Sequence, residues 1–174
     1  MSLIEKYIAS SDNEKYYRER LDQLDQTQKA KLEDLLDRLE KAGAKKPLDW
    51  ALSNVEESIP QFARFLMLKG LFEIIEDIEG NMGFAEDVDE SYEDDIEEVS
   101  NQLKTAIGED GLNKFLKSYT KGVMWQVINL IDEGNYNTNG DPGWVLKEVN
   151  SEGKITGKNV GGLHESFVDF EEEI

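Results

Sequence analysis

Apolar residues return every three or four positions through most of residues 1–134, and that period predicts helices. Leu3, Ile4, Tyr7 and Ile8 suit a short first helix. Ser11 or Asp12 is placed to cap a second, with Tyr17, Leu21 and Leu24 at helical spacing. Leu32, Leu35, Leu36 and Leu39 continue the pattern after a break expected near Thr27. Gly43 reads as the C-cap and Pro47 as a stop. The alternating charges of this region suit an exposed antiparallel helical hairpin.

Trp50, Leu52 and Val55 mark a helix over about residues 48–57. The stretch Phe62 to Ile78 then opens with Ser58 as a possible cap and Pro60 in the first turn. It is apolar nearly all round, the mark of a central helix. Gly70 inside it costs roughly 1 kcal/mol relative to Ala, which close packing against a neighbour would explain. Gly80 is expected to end it.

Tyr92, Ile96, Val99, Leu103 and Ile107 form a single stripe, and Ser91 with Asp94 reads as a capping box. A long helix follows, striped by Leu112, Phe115, Leu116, Tyr119, Val123, Met124, Val127, Leu130 and Ile131, with Gly134 as C-cap. The texture then changes. "NYNTNGDPG" is turn chemistry, and "WVLKEV" and "KITGKNV" read as strands joined through "NSEG", with Gly153 left-handed. An isolated hairpin is only marginally stable, so it must rest on the helices, through Trp144, Leu146 and Ile155. The final "GGLHESFVDFEEEI" suits a further strand or short helix. The predicted fold is mainly α: a bundle of about five to six helices over residues 1–134, with a small C-terminal β-hairpin and acidic tail over 135–174 packed against it as part of one domain.

Charge changes the picture. The net charge is −19, and the 13 acids of residues 70–103 face no Lys or Arg at all. Residues 1–69 carry a net −1, residues 104–164 balance, and residues 165–174 add −5. Such a surface disfavours nucleic acid and anionic membrane as direct partners and admits metal ions or basic proteins. The helix dipole welcomes acids only in a first turn, at about 0.3–1 kcal/mol each, so it accounts for part of the cluster. With no cysteine there is no disulfide framework or thiolate site. Absence of a basic, apolar leader or a membrane-length apolar run places the expectation in the cytoplasm.

The carboxylates and the lone histidine raise three kinds of chemistry. Asp87, Asp89, Ser91, Glu93, Asp95 and Glu98 fill the oxygen positions of a calcium loop, but Tyr92 stands where its glycine belongs. The loop from Asn135 fails too, with Leu146 at its twelfth position. For magnesium, Glu73 and Glu76 on one helix and Asp94 and Glu98 on the next are candidate ligands. The motif Glu73-x-x-Glu76 followed by Glu98-x-x-Asn101 resembles the all-α nucleotide pyrophosphohydrolases of the MazG type, which use E-x-x-E and E-x-x-D. That resemblance covers about 30 residues, departs at its last ligand, and implies a Mg²⁺-dependent hydrolase. The one histidine, His164, rules out a multi-histidine metal site, and no nucleophile elbow accompanies it.

The leading expectation is therefore a non-enzymatic interaction module with no catalytic residue and no cofactor. Glu86, Asp87, Asp89, Glu90, Glu93, Asp94, Glu97 and Glu98, with Glu171 to Glu173 of the tail, would face a basic protein partner. The Mg²⁺ hydrolase is one alternative. Acidity that serves solubility alone is the other.

Overall fold

The computed structural model describes residues 2–88, 93–134 and 144–174, without the side chains of 84–95. It is mainly helical, with a two-stranded antiparallel sheet near the C-terminus. Among the described residues the helices are α1 (Leu3–Ala9), α2 (Glu14–Asp22), α3 (Gln26–Ala42), α4 (Pro47–Glu56), α5 (Gln61–Glu76), α6 (Ile78–Val88), α7 (Glu93–Ile107), α8 (Glu109–Glu133) and α9 (Leu163–Phe167). A 3-10 turn covers Phe170–Glu172, and strands β1 (Lys147–Val149) and β2 (Ile155–Asn159) pair Lys147 with Asn159 and Val149 with Ile155. None of the described helices is long and apolar enough to cross a membrane.

More helices form than the five to six expected, because two aspartates cut the pattern. Asp25 starts α3 with a capping box: its Oδ1 accepts from Gln28 N at 2.8 Å, and Gln28 Oε1 accepts from Asp25 N at 2.9 Å. Asp77 breaks the central stretch, and its Oδ1 accepts from Gly80 N at 2.9 Å to cap α6. Gly80 therefore lies inside a helix rather than ending one. A Cβ there would run into the Asp77 carboxylate. Gly43 does end α3, at φ +92°. Pro47, expected as a stop, instead opens α4 at a position where its missing N–H costs nothing.

The core is one cluster. Leu32, Leu36 and Leu39 of α3 meet Ala51 and Leu52 of α4 and Phe65, Leu68 and Phe72 of α5. Ile4 and Ile8 close one side, and Ile128 of α8 the other. The C-terminal segment completes it. Val160, Leu163, Phe167 and Phe170 are all buried in this cluster, and the Phe170 ring lies 5.3 Å from Phe65 and 5.5 Å from Phe72. The hairpin does not rest on the bundle through its expected apolar residues: Trp144, Leu146 and Ile155 are 48%, 37% and 69% exposed. It is held at its ends. Buried Val160 enters the core, Trp144 Nε1 donates to Leu130 O at 3.0 Å, and at Gly134 a Cβ would stand 2.7 Å from the Trp144 carbonyl oxygen.

The central helix α5 is covered on one side only. Its buried line is Gln61, Arg64, Phe65, Leu68, Phe72 and Ile75. Leu66 and Ile74 remain exposed, and a Cβ on Gly70 between them would meet nothing within 4 Å, so Gly70 serves no close contact.

Candidate interaction surface

Helices α6 and α7 carry the acidic segment. Glu86 and Asp87 fall in the last turn of α6, and Glu93 and Asp94 open α7. Asp89 and Glu90 lie outside the described residues, as does the Ser91 cap, so that two of the six calcium-loop positions, Asp89 and Ser91, are not described. Glu97 and Glu98 are exposed one turn further on. They line a shallow depression with Asn101, Gln102 and Thr105, and Glu98 Oε1 accepts from Gln102 Nε2 at 3.0 Å.

The apolar stripe of α7 has the predicted period but, among its described residues, is only partly covered. Val99, Leu103 and Ile107 are 48%, 41% and 51% exposed. On a helix that carries acids on its flank, such a stripe is unlike a solvated polar face, which would leave no large apolar residues in water.

The four magnesium candidates do not form a described cluster. Glu76 is paired with Lys117 of α8, 41 residues away. Glu73 stands 3.9 Å from Lys69, one turn back on α5. The side chain of Asp94 is outside the description, and Glu98 holds Gln102. Among the described residues no group of three or more His, Cys, Asp or Glu side chains is arranged to hold a metal ion. Lys117 was not visible as a partner for Glu76, since only the α5–α8 crossing brings them together.

The tail acids divide. Glu173 is fastened to the bundle: Lys45 N donates to its carbonyl at 2.9 Å, Lys46 Nζ to Oε1 at 2.8 Å and Trp50 Nε1 to Oε2 at 3.3 Å. Glu171 Oε1 takes Lys121 Nζ at 2.6 Å. These two carboxylates anchor the C-terminus and are poorly placed to recruit a partner.

A second polar cluster went unread in the sequence. Asp132, whose side chain is 3% exposed, accepts from His164 N at 2.8 Å and lies 2.9 Å from His164 Nδ1. Arg64 is buried and donates to Gln61 Oε1 at 3.0 Å, to Ser166 Oγ at 3.1 Å and to Gly162 O. Burial pushes the Arg64 guanidinium below its ordinary value, against the pull of Glu165, Asp132 and Glu57. Ser166 is thus held by arginine rather than by histidine, and the cluster fixes α9 to α5 and α8 instead of forming a hydrolytic triad. Its signal, a lone arginine within an apolar run, was present at Arg64.

Comparison with family models, curated proteins and solved structures finds no match to this chain.

Proposed function

We propose that the chain is a non-enzymatic interaction module whose α6–α7 surface receives a basic protein partner. One observation carries this reading: α7 leaves Val99, Leu103 and Ile107 about half exposed on the same helix as exposed Glu97 and Glu98, within a sequence stretch of 13 acids that contains no Lys or Arg. Carboxylates attract a basic partner from a distance, and the apolar stripe retains it on contact. A helix bearing lysines beside a leucine stripe has the matching chemistry.

The test is stopped-flow association with a synthetic amphipathic Lys/Leu helix, in low and high NaCl. Steering raises on-rates by about 10–10³-fold, and this effect fades as the Debye length falls below about 10 Å. Glu93→Lys with Glu97→Lys should slow association at least tenfold at low salt and flatten the salt dependence. Val99→Ser with Leu103→Ser should leave the on-rate and hasten dissociation. Unchanged on-rates in the lysine variant, or equal binding of an acidic control helix, would sink the proposal.

A further inference from the structure

The longest uncharged run in the chain, Gly122 to Ile131, lies in α8. The side of α8 turned away from Ile128 carries Phe115, Tyr119, Gly122, Gln126 and Leu130 at spacings of four, three, four and four residues. Phe115, Tyr119 and Leu130 are 61%, 65% and 59% exposed. A chain of net charge −19 with 33% charged residues thus presents a wide apolar face with no charge on it.

We infer that this face is where a second copy of the chain docks, with two α8 helices antiparallel across a two-fold axis. Two copies of net charge −19 repel over most of their surface, and an uncharged face is where such copies approach at least electrostatic cost. The pattern is self-complementary, as a two-fold interface requires. With the axis between Gly122 and Val123, Phe115 lies level with Leu130 of the second copy and Tyr119 with its Gln126. Gly122 then stands level with Val123 of the other copy, where the missing side chain lets the helices approach closely. Within its own chain a Cβ on Gly122 would meet nothing within 4 Å, so the fold itself places no demand on this glycine.

The area is of the right order. Weighted by their exposures, Phe115, Tyr119, Val123, Trp125, Val127 and Leu130 offer roughly 600 Å² per copy, taking fully exposed aromatics at about 150–250 Å². A standard interface takes about 800 Å² per partner, and Gln126 with its polar neighbours supplies the remainder.

Sedimentation velocity of the full chain across a concentration series gives the first readout. The expected species has twice the 19.8 kDa of one chain and persists in Glu93→Lys with Glu97→Lys, which separates this inference from the acidic-surface reading. Tyr119→Glu should weaken dimerisation at least 100-fold without loss of helical circular dichroism, since Tyr119 is outside the core. The chain has no cysteine, so Gly122→Cys is a clean second probe. It should form a covalent dimer under mild oxidation, whereas Lys15→Cys on α2 should not. A monomer at every concentration overturns the inference. So does a dimer indifferent to Tyr119→Glu, or equal cross-linking by both cysteine variants.

Discussion

Phe170→Ala is the sharpest test of how the C-terminal segment stabilises this fold. Phe170 is 0% exposed and lies four residues before Ile174, with Phe65, Phe72 and Trp50 rings at 5.3, 5.5 and 6.1 Å. Truncating a buried phenylalanine costs about 3–5 kcal/mol, through lost transfer energy plus the cavity left behind. Three aromatic neighbours that collapse poorly favour the upper half of that range. At about 4 kcal/mol the loss is a large part of the ~5–15 kcal/mol typical of a domain, and it corresponds to about 8–16 °C in Tm for a chain of this size. Urea unfolding followed by tryptophan fluorescence and far-ultraviolet circular dichroism measures it, with Trp50 reporting directly on the altered wall. The exposed neighbour Val168, at 61%, provides the control, and Val168→Ala should shift stability by less than about 0.5 kcal/mol. A loss below about 1 kcal/mol for Phe170→Ala would refute the placement of the tail in the core. So would a normal midpoint with a changed denaturant slope, which would point to the unfolded state instead.

Two glycines should respond in opposite directions. Gly70→Ala has open space for its methyl group and should stabilise by about 0.5–1 kcal/mol, whereas Gly80→Ala should destabilise by about 1 kcal/mol because its Cβ displaces the Asp77 cap; thermal melts of the pair decide it. Burial, reinforced by Asp49, pushes the Tyr17 phenol from its ordinary 10.0 up to about 12. Because the folded value is the higher one, this group's contribution is complete below pH about 10 and is lost as pH rises towards about 12. Phenolate absorbance should therefore show Tyr17 titrating late, and Tyr17→Phe should diminish that late phase, to which Tyr7, also raised by burial, contributes.

Most helical segments were legible in the sequence, because the 3.6-residue period and the capping residues are local, but α6, which runs past the terminus expected at Gly80, was not. The apolar line of α3, the Gly43 terminus and the left-handed turn at Gly153, at φ +74°, follow from neighbours a few positions apart. The concentration of acids over residues 70–103 was equally plain. Local reading erred where one residue can play two roles. Pro47 opens a helix as readily as it stops one, and Gly80 makes room for a carboxylate rather than ending a helix.

Tertiary structure alone decided which apolar faces are covered. The stripes of α3 and α7 look alike in period, yet Leu36 is wholly buried and Val99 is 48% exposed. It also decided which carboxylates are paired: Glu76 meets Lys117, and Glu173 meets Lys46 from 127 positions away. Periodicity reports that a helix has an apolar side. Burial and ion pairing depend on what other segments bring to that side, and this is set by the packing of elements far apart in the chain.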